Sequence, residues 1–306
     1  MKKRVDLKNN RGLSILLTFV AIIFVTFVIA PLAFSIFDGS KIGNVALIPI
    51  EGPLTTNGGS YLGQSTVSSK EMVNYIKEAN ENEQIKVILL EINSPGGSAV
   101  ASDEIATAIK KTSKPVVSLI RESGASGGYW IASSTDYIIA NKMSITGSIG
   151  VISSYLEFSG LMEEYGVGYE RLVAGENKDI GTPFKKLSEK EKAIWTKKLD
   201  RIHEFFIAEI VENRDLSEEQ VRELATGEFY LGIEAFELGL VDLLGTKETA
   251  EHYIKTSYDL EEIDYVTYQK EVGFLEILSG VFSDLSFNVG EGIGATLLKG
   301  NSLMLI

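Results

Sequence analysis

The residue best suited to nucleophilic chemistry is Ser126, which lies in the stretch Gly124-Ala125-Ser126-Gly127-Gly128. No large side chain lies within two residues of it, so a substrate backbone can approach the hydroxyl closely. A strand-like run, 114–120, precedes the stretch, and a helix-like run, 129–133, follows it. The start of a helix directs free backbone N–H groups towards an oxyanion. The same residues are also typical of an ordinary glycine-rich turn, so this short motif alone does not establish a catalytic serine.

A serine hydroxyl is a poor nucleophile at neutral pH and needs a neighbouring group that takes its proton. The sequence contains two histidines, His203 and His252. His252 with Asp242 would follow Ser126 in the chain order of a nucleophile elbow. We expect Arg121-Glu122-Ser123 to separate Ser126 from its strand, which argues against an elbow. Both histidines are more typical of a helix surface than of a catalytic site.

A lysine can act as the base instead if burial lowers its pKa. Lys178, Lys185 and Lys186 lie in a polar segment, 174–186, that has no hydrophobic periodicity. Each of them is also typical of a solvated surface lysine. The residues themselves leave the choice of base open.

The amino-acid composition excludes several classes of function for this protein. The chain has 306 residues and a net charge of −13, which argues against nucleic acid as a partner. It has no cysteine, so disulfides, thiolate nucleophiles and zinc–thiolate sites are excluded. The two histidines lack the H-E-x-x-H spacing of a metalloprotease. We expect neither a metal nor a cofactor.

The N-terminal region predicts a membrane anchor. Residues 1–12 are basic, and residues 13–37 contain no charged side chain. A run of this length spans a bilayer core, and the basic flank places the N-terminus in the cytoplasm and the rest outside. A cleaved secretory signal is the alternative, although its apolar region is usually shorter.

Strands and helices alternate between residues 44 and 140, which indicates β-α units and a mostly parallel sheet. The predicted strands are 44–51, 86–92, 114–120 and 137–140. Capping boxes predict helix starts at Ser68, Ser188 and Ser217. We also predict a loop at 53–64 and a short strand at 169–173.

Several segments together resemble signal peptide peptidase A, a family of membrane-anchored serine–lysine proteases. The similarity runs from about Val45 to Gly245, and the single-anchor, half-length architecture is similar to the Gram-positive type. The segments that carry it are Asn93-Ser94-Pro95-Gly96-Gly97-Ser98, Gly124-Ala125-Ser126-Gly127-Gly128-Tyr129, Thr146-Gly147-Ser148-Ile149-Gly150-Val151, Lys178-Asp179-Ile180-Gly181-Thr182-Pro183-Phe184 and Glu237-Leu238-Gly239-Leu240-Val241-Asp242.

The resemblance implies a role for each matching position. Ser126 would be the acyl-forming nucleophile and Lys178 the general base. Ser148 would hydrogen-bond Lys178 and orient it. The backbone N–H groups of Gly97 and Gly127 would form the oxyanion hole.

It also implies a fold and an organisation. The fold would be α/β, a Clp protease/crotonase-like fold of repeated β-β-α units that follows one transmembrane helix. The expected parts are a cytoplasmic N-terminus (1–12), the transmembrane helix (13–37), an extracytoplasmic protease domain (38–265) and an apolar tail (266–306).

The implied substrates are signal-peptide remnants and other unfolded or hydrophobic peptides. The implied assembly is a homo-oligomeric ring, expected to be an octamer, with active sites between neighbours. Whether Lys178 meets Ser126 within one chain or across a subunit boundary stays open. We add the hypothesis that residues 274–306 of the tail lie in the substrate grooves and are trimmed by the enzyme.

Three other functions stay open. A membrane-anchored histidine-dependent esterase would need His252. A crotonase-type acyl-coenzyme A enzyme could share the fold, but its cofactor is cytoplasmic. A non-enzymatic scaffold would bind peptides in the same groove and would not need Ser126.

Overall fold

The computed structural model describes residues 11–29, 43–61 and 64–270. The chain divides into two units, Met1–Thr267 and Tyr268–Ile306. Of the second unit, the described part is residues 268–270. The predicted tail therefore lies outside the described residues from position 271 onwards.

The main sheet confirms the predicted α/β class with mostly parallel strands. Eight strands of the described residues form it, in the order β10-β7-β6-β5-β1-β11, with β8 paired to β6 and β9 paired to β8. The neighbours are parallel except β8 and β9. The strands of this sheet are β1 (Val45–Glu51), β5 (Val87–Ser94), β6 (Val116–Ala125), β7 (Tyr137–Ala140), β8 (Ile145–Gly147), β9 (Phe229–Leu231), β10 (Leu243–Leu244) and β11 (Tyr265–Thr267).

A second, small sheet lies in the region predicted to be a loop. Its strands are β2 (Leu54–Thr55), β3 (Gly59–Tyr61) and β4 (Gln64–Ser68), in the order β2-β4-β3. The prediction of a loop over 53–64 is therefore wrong. These strands are short and rich in glycine and serine, so their pairing partners rather than their own composition define them.

The described residues also form nine α-helices. They are α1 (Arg11–Phe24, continued as a π-helix over Val25–Ile29), α2 (Ser69–Glu81), α3 (Ala99–Lys110), α4 (Gly127–Ser133), α5 (Ser159–Glu164), α6 (Glu189–Asn213), α7 (Glu218–Leu224), α8 (Gly232–Glu237) and α9 (Lys247–Ser257). Ser68, Ser188 and Ser217 each accept a hydrogen bond from the N–H three residues later, as their predicted capping roles require.

Within residues 11–29, 43–61 and 64–270, no helix combines the length and the apolar character needed to cross a membrane. Residues 30–37 of the predicted transmembrane segment lie outside the described residues.

The sheet forms the centre of the core. Val87 and Leu89 of β5 and Val117 of β6 are fully buried, and they pack in one cluster with Ala250 and Ile254 of α9. α4 contacts β6, α3 and α6, so it is enclosed by these three elements. This arrangement fixes the start of α4 at the end of β6.

Residues 151–187 connect β8 to α6 and differ from the rest of the protein. α5 is their regular element, and no strand forms at 169–173, so that prediction is wrong. Several apolar side chains of the segment are exposed, among them Ile152 (89%) and Leu172 (93%). A strand needs a partner for its backbone, and this segment has none among the described residues.

Candidate active site

Ser126 lies at the turn where β6 ends and α4 begins. Its backbone has φ 52° and ψ −121°, a conformation that residues with a side chain rarely adopt. Its N–H donates to the carbonyl of Gly147 at 2.8 Å, and its carbonyl accepts from the N–H of Trp130 at 2.9 Å. The surrounding backbone therefore holds the unfavourable conformation. A sharp strand-to-helix turn of this kind is the arrangement of a nucleophile elbow.

The strand before Ser126 is longer than the sequence suggested. Arg121-Glu122-Ser123 belongs to β6, which continues to Ala125, so the expectation that these residues separate Ser126 from its strand is wrong. β6 shifts its register against β5 between Ile120 and Gly124. Beyond this shift it pairs with β8 instead of β7. The change of partner keeps the strand extended up to the serine.

The loop after β5 packs directly against the Ser126 turn. A Cβ atom at Gly96, whose φ is +94°, would lie 2.6 Å from the backbone N of Gly127 and 2.9 Å from Cβ of Ser126. A Cβ atom at Gly97 would lie 2.3 Å from the carbonyl oxygen of Leu54. Neither position has room for a side chain, because Gly96 meets the backbone of the Ser126 turn and Gly97 meets the backbone of Leu54.

Two backbone N–H groups suited to an oxyanion hole lie beside this turn. Gly127 is the first residue of α4, where an N–H has no acceptor within the helix. The bridge between Leu54 and Gly97 uses the carbonyl of Gly96 and the N–H of Ser98, and it does not use the N–H of Gly97. A Cβ atom at Gly127 would lie 3.4 Å from the N of Gly97, so the two groups are close together. Donors placed in this way can stabilise a tetrahedral oxyanion.

A cavity of about 690 Å³ lies next to the turn. Four of the five predicted site residues line it: Ser126, Gly97, Gly127 and Ser148. The rest of the wall is largely apolar and includes Trp130, Val151, Ile152, Leu199, Ile202 and Phe206. The rings of Trp130 and Phe206 stack at 4.8 Å. Such a wall suits an apolar side chain of a substrate.

Ser148 follows β8 and, like Ser126, has a positive φ, 51°. Its N–H donates to the carbonyl of Glu228 at 2.9 Å. Its hydroxyl lies 3.4 Å from the carbonyl of Gly227, a long hydrogen bond that a better partner can replace. The structure therefore brings Ser148 and Ser126 to one cavity.

Lys178 does not line this cavity. It lies in a turn of the segment 151–187, and its N–H donates to the carbonyl of Gly175 at 3.1 Å. Its side chain is exposed and has no hydrogen-bond or ion-pair partner among the described residues. The single chain therefore leaves the predicted base apart from the predicted nucleophile.

The alternative lysine Lys185 is engaged elsewhere. Its Nζ lies 2.7 Å from Oε1 of Glu191 and 3.3 Å from Oδ1 of Asp179. The hydrogen bond to Glu191 raises the pKa of Lys185, which is opposite to the shift that a general base needs.

The His252–Asp242 pair that an elbow esterase requires is not formed. The carboxylate of Asp242 accepts two hydrogen bonds from Arg214, at 2.5 and 3.0 Å, and one from the N–H of Ile138 at 2.7 Å. His252 is exposed on α9 and does not line the Ser126 cavity.

Sequence reasoning missed the contribution of α6 to the site. Leu199, Ile202, His203 and Phe206 of this helix line the cavity. Their spacing of three, four and seven residues is that of one helix face, and this was the signal that could have identified them. His203 is held by the carbonyl of Ile149, 3.2 Å from its Nε2.

Comparison with known proteins agrees with this geometry. Residues 108–261 match the model of peptidase family S49. The chain is 32% identical over 264 residues to a protein of Methanocaldococcus jannaschii that is named as a protease, an alignment that covers 86% of this chain and 84% of the relative. It is 35% identical over 218 residues to a protein of Enterococcus faecium named as a signal peptide peptidase SppA, covering 68% of this chain and 63% of the relative.

Protease 4 of Haemophilus influenzae is 31% identical over 205 residues, which are 66% of this chain and 33% of that protein. The chain thus spans about a third of protease 4 and somewhat less than two thirds of the E. faecium relative.

The α/β fold, the strained serine turn and the matching sequences define a serine hydrolase that acts on peptide bonds. The chain belongs to peptidase family S49 and is a serine protease of the signal peptide peptidase A type. Its mainly parallel sheet with helices fits the Clp protease/crotonase-like fold.

Proposed function

We propose that this protein is a membrane-anchored serine endopeptidase with a Ser126–Lys178 dyad that degrades signal-peptide remnants and other hydrophobic peptides outside the cytoplasmic membrane. The observation that carries the proposal is the position of Ser126, in a strained turn beside two glycine N–H groups without a backbone acceptor among the described residues, and beside a cavity with several apolar side chains in its wall.

In the reaction, Oγ of Ser126 attacks the peptide carbonyl while its proton passes to Nζ of Lys178. The oxyanion accepts hydrogen bonds from the N–H groups of Gly97 and Gly127. Lys178 then donates the proton to the departing amine, which leaves an ester on Ser126. Water attacks this ester while Lys178 takes a proton from it, and Lys178 returns the proton to Oγ of Ser126 as the ester C–O bond breaks. The carboxylic acid product leaves, and the serine hydroxyl and the neutral lysine are restored.

We propose that Lys178 reaches Ser126 from a neighbouring subunit of a homo-oligomeric ring, an octamer by the family resemblance. Lys178 is exposed and outside the cavity of its own chain, and the segment that carries it has exposed apolar side chains that another subunit can cover. Ser148 lines the cavity, where it can accept a hydrogen bond from the incoming lysine and orient it.

Mixed rings test this arrangement. Ser126→Ala and Lys178→Ala chains are inactive alone under the proposal. If the dyad forms between subunits, random mixing restores about a quarter of the sites, because one junction in four pairs an intact serine with an intact lysine. If mixed rings stay inactive, the dyad forms within one chain.

The proposed membrane anchor and the location of the catalytic domain outside the cytoplasm are supported by the sequence. The basic residues 1–12 and the uncharged run 13–37 support a single span with the N-terminus inside. Protease digestion of intact cells, with an antibody against the catalytic domain, tests this orientation. Protection of the domain until the membrane is permeabilised would contradict it.

The tail is a further part of the proposal. Residues 274–306 of the tail are rich in apolar side chains, and the wall of the cavity beside Ser126 includes several apolar side chains. We propose that the tail occupies the substrate grooves and is trimmed by the enzyme. Intact-mass measurement of wild type and Ser126→Ala decides this, since equal C-termini in both would exclude self-processing.

The main experiment compares hydrolysis of casein and of a signal-like peptide by the full-length chain and its variants. Ser126→Ala and Lys178→Ala should both lose activity, and His252→Ala should keep it. Activity that survives Lys178→Ala but not His252→Ala would indicate the esterase type of site. Peptide binding without turnover in wild type would indicate a scaffold. Turnover of acyl-coenzyme A would indicate the crotonase type of reaction.

A further inference from the structure

The turn that carries Lys178 is held from both sides by one arginine. Nε and Nη2 of Arg171 donate to the two carboxylate oxygens of Asp179, at 2.7 and 2.8 Å. Nη2 of Arg171 also donates to the backbone carbonyl of Glu176 at 2.8 Å. Arg171 therefore binds the residue directly after Lys178 and the residue two places before it. A planar guanidinium in this bidentate geometry restricts both position and orientation.

The same carboxylate connects the turn to α6. Lys185 bridges Asp179 and Glu191, and Glu191 belongs to the first turn of α6. The other oxygen of Glu191 accepts from the N–H and the hydroxyl of Ser188, each at 2.9 Å. The capping box predicted from the sequence thus also anchors the turn.

A packing contact supports this link. Gly181 lies against the ring of Trp195 on α6, where a Cβ atom would be 3.3 Å from Cζ2. Further along, α6 forms one wall of the Ser126 cavity. The Lys178 turn is therefore mounted on the helix that shapes the site.

The charges around Lys178 are paired with one another. Asp179 is neutralised by Arg171 and Lys185, and Glu176 pairs with Lys190 of α6 at 2.8 Å through both oxygens. A free carboxylate beside a lysine would favour its protonated form, which cannot accept a proton from a serine. Asp179 is next to Lys178 in the chain, yet its charge is engaged elsewhere.

We propose that Arg171, Asp179 and Lys185 are positioning residues that hold the Lys178 turn on α6 and keep Asp179 from pairing with Lys178. The inference rests on the proposed function, in which Lys178 is the base. It adds a reason why this lysine is available for catalysis while Lys185 is not.

The test uses the full-length chain with Arg171→Gln and Asp179→Asn. We expect kcat to fall about 10- to 100-fold with little change in KM, because a misplaced catalytic group slows the chemical step. The pH dependence should separate the two variants. Arg171→Gln leaves the carboxylate of Asp179 with Lys185 as its one remaining cation, so more of its negative charge acts on Lys178 and the acid limb of kcat should move to higher pH. Asp179→Asn leaves Arg171 without its carboxylate and should move the acid limb to lower pH.

Two control variants show whether the effects on kcat and on its acid limb are specific to the Lys178 turn. Glu204→Gln breaks a bidentate pair of the same kind, with Arg222 at 2.8 and 2.6 Å, on exposed faces of α6 and α7. It should leave kcat and the acid limb unchanged. Arg171→Lys keeps the charge but loses the fork, so it should retain the wild-type acid limb with a smaller loss of kcat. Arg171→Lys also tests the role of Arg171 if Arg171→Gln does not fold.

The outcomes separate the inference from the proposed function. If Lys178→Ala is inactive, either of two results for Arg171→Gln and Asp179→Asn would overturn the positioning role. One is a wild-type kcat, and the other is that the acid limbs of kcat do not move in opposite directions. Activity retained in Lys178→Ala would overturn the proposed base and the positioning role together.

Discussion

Gly96 lies so close to Ser126 that a β-carbon added at Gly96 would be 2.9 Å from the β-carbon of the serine. The contact joins the loop after β5 to the turn after β6. These loops supply Gly97 and Gly127, the two proposed oxyanion donors. The geometry of the site therefore depends on a glycine that takes no part in the chemistry.

Gly96→Ala should reduce kcat by about 10²-fold or more, the loss expected when an oxyanion donor is displaced. The added methyl group would also meet the N of Gly127 at 2.6 Å, and φ +94° is strained for alanine. Peptide hydrolysis gives the rate, and circular dichroism shows whether the fold persists. A folded variant with wild-type kcat would mean that the loops can separate without cost.

Asp242→Asn should destabilise the protein by about 3 kcal/mol, because it leaves a buried guanidinium without its counter-charge. The side chain of Arg214 is 8% exposed, and it joins the end of α6 to the segment before β10. Urea unfolding measures the change in the free energy of unfolding. Glu204→Gln, at an exposed ion pair, is the control and should give no measurable change. Equal stability in the two variants would contradict a structural role for Asp242.

Acid should release the Lys178 turn from α6. The hydrogen bond from Lys185 lowers the pKa of Glu191 from 4.5 to about 2, and the hydrogen bond from Arg171 lowers the pKa of Asp179 as well. A carboxylate with a lowered pKa in the folded state contributes stability above its unfolded pKa and loses it as the pH falls.

Hydrogen exchange can follow this release. Protection of residues 176–185 should be constant above pH 4.5 and should decrease between pH 4.5 and about 2, while β5 stays protected. The Asp179→Asn variant should already show weak protection of the turn at neutral pH. Protection that is independent of pH would show that packing against Trp195 holds the turn without these charges.

His203→Ala should change KM more than kcat and should leave the acid limb of kcat where it is. His203 lines the cavity, and its Nε2 lies 3.2 Å from the carbonyl of Ile149. Replacing the ring with a methyl group therefore enlarges the cavity and makes its wall more apolar. Peptides with different apolar side chains would show the change as altered selectivity. A loss of kcat as large as that of Ser126→Ala would instead make His203 the base.

The sequence by itself determined the features that depend on near neighbours in the chain. The capping boxes at Ser188 and Ser217 are formed, and Ser68 makes the N-cap hydrogen bond of its predicted box, because each needs groups only three residues apart. The parallel sheet followed from apolar strands that alternate with helices. The motif around Ser126 indicated a nucleophile, since small residues leave room for a substrate.

Tertiary structure decided the features that depend on partners distant in sequence. β6 extends to Ala125 because β8 pairs with its end, and the chain at 169–173 forms no strand because it has no partner among the described residues. Asp242 binds Arg214 rather than His252, since α6 ends beside it. Parallel strands bring Gly97, Ser126 and Ser148 to one cavity. Lys178 stays outside it, because its turn is held on α6 by the ion pairs of Arg171 with Asp179 and of Lys185 with Glu191, which the sequence did not predict.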